Sequence, residues 1–121
     1  MYYEVLMKKK NIVKNSEDFT RIISKKQGVV NNYFIINMEE NNNLIPKFGI
    51  TFVKNMCNAV NRNKLKRQVK SIIDNNKKIY ENNKNYIIII RKDALNKSFN
   101  ELEENLISLF NKLKEKKNEK K

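Results

Sequence analysis

The sequence predicts a single α+β domain of two layers, in which helices pack on a sheet of about four strands. The chain has 121 residues, which is enough for one domain with a modest hydrophobic core. Apolar residues recur at helical spacing in some segments and at strand spacing in others, and glycine and proline are rare between them. We therefore expect the order α-β-β-α-β-α, with a further short strand near residues 28–31.

The first half of the chain predicts one helix followed by two strands. Ser16 is a typical N-cap residue and two acidic residues follow it, so a helix is expected up to about Lys26. The aromatic and β-branched stretch "YFIIN", residues 33–37, predicts a strand. The alternation in "KFGITFVK", residues 47–54, predicts a half-buried strand. The polar connection over residues 39–46 predicts a hairpin loop and hence an antiparallel pair of these strands.

The second half predicts a basic helix, a central strand and a long amphipathic helix. Asn58 is a good N-cap for the first of these helices. The continuously apolar stretch "YIIIIRK", residues 86–92, is expected in a strand that is covered on both faces. Ser98 and Glu101 predict a capping box at the start of the last helix. The two ends of the chain, residues 1–14 and about 115–121, are expected to be loose.

The composition excludes several common kinds of catalytic site. The chain has one cysteine, Cys57, and no histidine, so an internal disulfide, a Cys/His zinc site and a Ser-His-Asp arrangement are all ruled out. A metal held by carboxylates alone stays open. The longest apolar run is far too short to span a membrane, so the expected compartment is the cytoplasm, and no obligate protein partner is evident.

The positive charge is concentrated in the middle of the chain. The net charge is +13, and residues 47–78 contain nine cations and only one anion. Residues 1–46 contain seven cations and five anions, and residues 79–121 contain ten and seven. A concentrated surplus of this kind is typical of a protein whose partner is a polyanion, such as nucleic acid or an anionic membrane.

The helix after Asn58 has an apolar side and a basic side at 100° per residue. The apolar side comprises Leu65, Val69, Ile72 and Ile73. The other side, which we call the basic surface, comprises Arg62, Asn63, Lys66, Arg67 and Lys70. A solvated helix face normally mixes the two signs of charge, whereas here like charges lie four residues apart and repel one another. Phosphates would turn this repulsion into attraction, so the pattern favours nucleic-acid binding over a solvated face.

Aromatic side chains on which bases could stack are also present. For most of them, packing in the hydrophobic core is the stronger interpretation, and no more than one or two are expected to face an open groove. The candidates are Phe19, Tyr33, Phe34, Phe48 and Phe52.

The stretch "NAVNRNKLKRQVK", residues 58–70, resembles the signature of the bacterial ribonuclease P protein component. The centre of that signature is an Arg-Asn pair, here Arg62 and Asn63, followed three residues later by Lys-Arg, here Lys66 and Arg67. The resemblance covers nearly the whole chain apart from its two ends, and includes residues 15–23, 47–54 and 85–113.

The resemblance implies a protein that assembles with a large catalytic RNA and removes the 5′ leader of precursor tRNA. The RNA, with bound Mg²⁺, would hydrolyse the phosphodiester, while the protein would bind the leader in a cleft between its first helix and the sheet. A left-handed β-α-β crossover is also implied, against the usual right-handed rule. The implied RNA-binding residues are Lys54, Arg62, Asn63, Lys64, Lys66, Arg67 and Lys70. The implied leader-cleft residues are Phe19, Ile23, Phe34 and Thr51.

Four positions depart from the family pattern. Cys57 stands where glycine is common, and Val53 stands where serine is common. Ile23 and Asn37 occupy positions where members often have aromatic residues, whereas Phe19 keeps its aromatic ring. We therefore expect weaker stacking on the leader here.

A second class of function fits the same charge pattern. A structural RNA-binding protein of the ribosomal type would need the basic surface but would have no role in turnover. A processing assay with and without the RNA partner separates these two interpretations.

Overall fold

Three helices and one four-stranded sheet make up the fold of the described residues. The structure is a computed structural model, which describes residues 12–13, 16–25, 28–42, 45–54 and 58–119, with side chains up to Glu115. In chain order the elements are α1 (Ser16–Ser24), β1 (Gly28–Val30), β2 (Phe34–Glu40), β3 (Lys47–Phe52), α2 (Ala59–Asn75), β4 (Lys84–Ile90), a 3₁₀ turn (Lys92–Ala94) and α3 (Phe99–Glu119).

The strand order in the sheet is β1-β2-β4-β3. β2 pairs antiparallel with both β1 and β4, whereas β3 pairs parallel with β4. The predicted short strand near residues 28–31 is therefore confirmed as β1, and the predicted central strand is confirmed as β4, although it ends at Ile90 and not at residue 92. The predicted hairpin between β2 and β3 is wrong, because β4 lies between them and takes both as neighbours.

The parallel pairing of β3 and β4 explains this arrangement. Parallel strands need a long crossover connection, and α2 provides it. The continuously apolar β4 gains a partner on each edge, so its backbone groups are paired along the whole strand. The left-handed sense of this crossover stays a prediction.

Several boundaries differ from those predicted. β2 continues to Glu40 instead of ending at residue 37, because its last residues pair with the start of β4 and Lys84 donates a 2.9 Å hydrogen bond to the Glu40 carboxylate. α3 continues to Glu119, although a loose tail was expected from about residue 115, since Lys and Glu are good helix formers.

The expectation of a loose N-terminal segment is wrong for two residues. Ile12 and Val13 lie along β3, and the Val13 N–H donates a 3.0 Å hydrogen bond to the Phe48 carbonyl. Residues 1–11 and 14 lie outside the described part of the chain.

The two faces of the sheet pack against different helices. The core face, which we define as the side toward α2 and α3, contributes Phe34, Ile36, Phe48, Ile50, Tyr86, Ile88 and Ile90 to the main hydrophobic cluster. The α1 face is the opposite side, where Ile87 packs with Val13 and Ile22 in a separate small cluster. Alternation along each strand separates these two sets.

Local signals begin the two longer helices as predicted. The Asn58 side chain caps α2 by accepting a hydrogen bond from the Asn61 N–H at 3.0 Å. At α3 the Ser98 Oγ accepts from the Glu101 N–H at 3.2 Å, as in a capping box. The reciprocal bond differs, because the Ser98 hydroxyl donates to the Glu101 carboxylate at 3.4 Å.

Among the described residues, no helix is both long and apolar enough to cross a membrane.

Candidate nucleic-acid interface

The inner side of α2 fixes the direction in which its basic surface faces. Leu65, Val69, Ile72 and Ile73 are all at most 5% exposed and belong to the main core. Opposite them, the cationic residues lie toward solvent because the two sets are at different angles around the helix. The predicted apolar side is thus confirmed, and the helix cannot rotate without exposing the core.

Most residues of the basic surface are exposed. Arg62, Asn63, Lys66 and Arg67 are all exposed, as is the neighbouring Lys64. None of the cations of α2 forms an ion pair with an acidic residue in the described part of the chain. Asp74, the one anion in α2, lies near its end and is 3.8 Å from Lys77. The surface therefore presents unneutralised positive charge.

Lys70 differs from the other cations of the basic surface, since it is half-buried. Burial lowers the pKa of the Lys70 ammonium below its usual value, and the charge of Lys66 one turn away lowers it further. An approaching phosphate would reverse this effect by stabilising the charged form of Lys70.

Lys54 lies in the connection from β3 to α2, near the end of β3. It is exposed and lies two residues after the end of β3. Cys57, which departs from the family pattern, lies outside the described residues. Val53 is half-buried, and its N–H donates to the Ile90 carbonyl at 3.1 Å, which extends the pairing of β3 with β4.

Three of the four predicted leader-cleft residues lie at the α1 face. Phe19 is half-buried against the small cluster, Ile23 is 37% exposed one turn later, and Thr51 lies half-buried on β3. The strand neighbours on this face are Ile35 and Ile89, which pair with each other across β2 and β4. These side chains border the predicted cleft between α1 and the sheet, which we call the α1-face cleft, and its use for the leader stays a prediction.

The prediction for Phe34 is wrong. Its side chain has 0% exposure and lies in the main cluster on the core face. The physical reason is strand alternation, which places Phe34 and Ile36 on one side of β2 and Ile35 and Asn37 on the other. Because "YFIIN" is apolar on both sides, its pattern alone could not decide which residues face the cleft.

Phe19 lies directly over the backbone of β3 at Gly49. A Cβ atom added at Gly49 would be 2.6 Å from Phe19 Cζ and 2.8 Å from Ile87 Cδ1. Such distances are shorter than van der Waals contact, so the missing side chain of Gly49 allows the ring to approach the strand. The glycine thus sets how deep Phe19 lies in the cleft.

An ionic cluster fastens α1 to β2 at one end of the cleft. The Glu39 carboxylate, 6% exposed, accepts two hydrogen bonds from the Arg21 guanidinium at 2.6 and 3.1 Å. Lys25 and Asn85 also donate to it, both at 2.9 Å. Mainly through the Arg21 hydrogen bonds, this environment lowers the pKa of Glu39 to about 2.

Sequence reasoning missed the role of Glu39 because the hairpin prediction placed it in a loop. A usable signal existed, since Glu39 and Glu40 are rare anions in a strongly basic chain and lie within three residues of the end of the predicted strand. From composition alone, Arg21 would count as a candidate RNA-binding cation. Its charge is partly neutralised by Glu39 and by Asp18, both at 2.6 Å.

The described residues do not form a group of three or more Cys, Asp or Glu side chains that could hold a metal ion.

The fold and the unneutralised helix define a basic α+β protein of the class that binds nucleic acid. The family model described as Ribonuclease P matches residues 7–114. The chain belongs to the ribonuclease P protein family.

Curated relatives match the chain over most of its length. The ribonuclease P protein component of Mycoplasma mycoides subsp. mycoides is 37% identical over 109 residues, which cover 89% of this chain and 100% of the relative. The component of Bacillus pumilus is 33% identical over 107 residues, which cover 88% of this chain and 90% of the relative.

Solved structures share the fold. A Staphylococcus aureus RNase P protein mutant with defective mRNA degradation activity superposes with a TM-score of 0.80 at 29% identity, covering 94% of this chain and 97% of that one. The RNase P protein from Thermotoga maritima superposes with a TM-score of 0.74 at 26% identity, covering 81% of this chain and 93% of that one.

Proposed function

We propose that the chain is the protein subunit of ribonuclease P, a ribonucleoprotein nuclease of tRNA 5′ processing, and that it works in the cytoplasm. In this proposal the basic surface, Lys54 and Lys64 bind the catalytic RNA, and the α1-face cleft binds the 5′ leader of precursor tRNA. The observation that carries the proposal is a core-anchored helix whose exposed cations have no acidic partner among the described residues.

The basic surface suits a phosphate backbone for two reasons. Each cation that reaches a phosphate releases condensed counterions, which favours binding, and the mutual repulsion along α2 falls at the same time. Arg62 and Arg67 add planar guanidinium groups that can bind phosphate oxygens through two parallel hydrogen bonds. Asn63 lies between the cations and can bond to sugar or phosphate oxygens.

The α1-face cleft suits a single strand of RNA. Phe19 offers a partly exposed ring on which a base can stack, and Ile23, Thr51 and the strand residues beside them supply apolar contact. The Glu39 cluster holds α1 at a set distance from the sheet, so the cleft has its width before RNA arrives.

We assign the hydrolysis to the RNA partner. The chain has no histidine and no nucleophile–base pair of the common kinds. Mg²⁺ bound to the RNA would polarise the phosphodiester and activate water. The protein residues bind and orient the two RNA molecules, and no chemical step is routed through them.

The proposal is tested in a reconstituted enzyme with a ribonuclease P RNA. The protein should promote correct 5′ maturation at low magnesium and should cleave nothing alone. Changing Arg62, Lys66, Arg67 or Lys70 to Ala should flatten the plot of log K for the catalytic RNA against log salt by about 0.7–0.9 per contact. Lys112→Ala, which removes an exposed cation from α3, is the matched control and should leave the slope unchanged.

Other outcomes would contradict the proposal. Cleavage at the correct site by the pure protein would place catalytic groups on the protein. RNA binding with no effect on processing would favour the structural RNA-binding alternative. If the slope of log K against log salt were unchanged in all four variants, the basic surface would be a solvated helix face and not an RNA-binding surface.

A further inference from the structure

A shallow pocket lies at the end of the sheet where the parallel strands β3 and β4 finish. Its volume is about 210 Å³, and it is lined by Asn32, Val53, Arg91, Lys92 and Asp93. Its charged residues follow β4, outside the basic surface and outside the predicted cleft. The charges are two cations and one carboxylate, and they line a concave surface.

Backbone hydrogen bonds fix the walls of this pocket. The Val53 N–H donates a 3.1 Å hydrogen bond to the Ile90 carbonyl, and the Arg91 N–H donates a 2.9 Å hydrogen bond to the Tyr33 carbonyl. The Ala94 N–H closes the 3₁₀ turn on the Arg91 carbonyl at 3.0 Å. The three lining segments are thus joined to one another before any ligand binds, and the pocket is preformed.

A hydrogen bond orients the Arg91 side chain and leaves further N–H donors for a ligand. Its Nη1 donates to the Asn31 carbonyl at 2.7 Å, and Asn31 is itself held by a 3.0 Å bond from its side chain to the Asn105 carbonyl. A guanidinium has five N–H donors in a rigid plane, so donors remain for a phosphate. Neither Arg91 nor the exposed Lys92 forms an ion pair with a described anion.

Asp93 limits the kind of ligand that fits. A carboxylate only accepts hydrogen bonds, and a phosphodiester has no hydrogen-bond donor. A phosphate alone would therefore be repelled by Asp93 and would form no hydrogen bond with it. A ribose 2′-hydroxyl is a donor, and it lies one sugar away from the phosphate in RNA and is absent from DNA. A ribonucleotide therefore matches all three charges of the pocket.

We propose that this pocket binds one ribonucleotide unit of an RNA chain, with the phosphate on Arg91 and Lys92 and the 2′-hydroxyl on Asp93. The proposal rests on the proposed function in one respect, namely that the chain binds RNA. The unit can come from the catalytic RNA or from the leader, since both present the same chemistry.

The first experiment compares Lys92→Ala with Lys97→Ala. Lys97 is a matched control because it is an exposed cation five residues further on, whose ammonium lies 5.7 Å from the centre of the Tyr33 ring and outside the pocket. Affinities for the catalytic RNA, and in the holoenzyme for precursor and mature tRNA, are measured across a range of salt concentrations. Lys92→Ala should flatten the salt slope by about 0.7–0.9, and Lys97→Ala should not.

The three RNA ligands identify the source of the bound unit. A change confined to the catalytic RNA assigns the unit to that molecule, and a change confined to precursor tRNA assigns it to the leader. The proposal for the pocket would be wrong if the salt slope of Lys92→Ala equalled that of the wild type, or if Lys92→Ala and Lys97→Ala flattened the slope equally. Arg67→Ala is measured in parallel, so the proposed function is supported or lost separately from the pocket.

The second experiment tests the 2′-hydroxyl through Asp93→Ala. Binding of a short single-stranded RNA and of the same sequence as DNA gives an affinity ratio, from which general charge effects cancel. The RNA/DNA ratio should fall about three- to tenfold in Asp93→Ala, as expected for the loss of one hydrogen bond. In Lys92→Ala the ratio should stay unchanged. A ratio equal to that of the wild type in a folded Asp93→Ala protein would overturn the assignment of Asp93.

Discussion

The two faces of the sheet are built from the same strands but are covered in opposite ways. On the core face, α2 and α3 bury side chains such as Phe34 and Ile88 almost completely. On the α1 face, a helix of nine residues covers only part of the sheet, and Phe19 and Thr51 keep some exposure. Burial of apolar area is the main stabilising term in folding, so the core face contributes more to stability than the α1 face does.

The means of attachment differ in the same way. α2 and α3 are held by apolar contacts, including the edge-to-face rings of Tyr86 on β4 and Phe110 on α3, whose centroids are 5.2 Å apart. α1 is held by the small cluster around Ile22 and by the ionic contacts of Glu39. Because the apolar cluster under α1 is small and the polar contacts lie near one end of the helix, the α1 face is less fully covered than the core face.

The largest expected effect belongs to the core face. Phe34→Ala should cost about 3–5 kcal/mol in the free energy of unfolding, because it removes a fully buried ring and leaves a cavity. Denaturant unfolding measures this loss, with Phe34→Leu as a milder control. The affinity of the folded fraction for the leader should stay near that of the wild type. If Phe34→Ala had normal stability but did not bind the leader, Phe34 would belong to the cleft, and the contrast between the two faces would be wrong.

The next effect concerns the attachment of α1. Glu39→Gln should cost about 1–2 kcal/mol at pH 7, a figure that allows for solvent screening around the half-exposed Arg21 and Lys25. The pKa of Glu39 is lowered from 4.5 to about 2 in the folded state, so its contribution is fully present above about pH 4.5 and is lost as pH falls toward 2.

Unfolding measured between pH 7 and pH 2 tests this prediction. The difference in stability between the wild type and Glu39→Gln should shrink over the lower half of that range. Glu104→Gln, at an exposed carboxylate on α3, is the control and should show no comparable difference. A Glu39→Gln deficit that stayed constant down to pH 2 would mean that the charge of Glu39 does not fasten α1.

Some features of the fold were predictable because they depend on local spacing. The buried side of α2, the Asn58 cap and the central strand follow from residues a few positions apart. The pairing of β4 between β2 and β3 is non-local, and no short pattern encodes it. The error at Phe34 has a similar origin, since a strand that is apolar on both faces does not reveal which face is which.

The role of Phe19 follows from the face on which it lies. Because it is half-buried, Phe19→Ala should cost less stability than Phe34→Ala. If the ring stacks on the leader, precursor tRNA binding in the holoenzyme should weaken by about 1–3 kcal/mol, with mature tRNA binding unchanged. Affinities for both RNAs, beside a melting curve, separate the two roles. Equal losses for both RNAs, or a collapsed melting temperature, would assign Phe19 to the core.

The smallest effect is expected at Gly49, and it shows whether the position of Phe19 matters as well as its presence. Gly49→Ala would place a methyl group 2.6 Å from Phe19 Cζ, so the ring must tilt outward, at a cost of about 1 kcal/mol in stability. Leader affinity should fall less than in Phe19→Ala, since the ring is displaced but not removed. In the double variant the loss should equal that of Phe19→Ala alone, because Gly49 acts on the leader only through the ring. Additive losses would instead mean that the β3 backbone at Gly49 contacts the leader directly, and the cleft would then extend beneath Phe19.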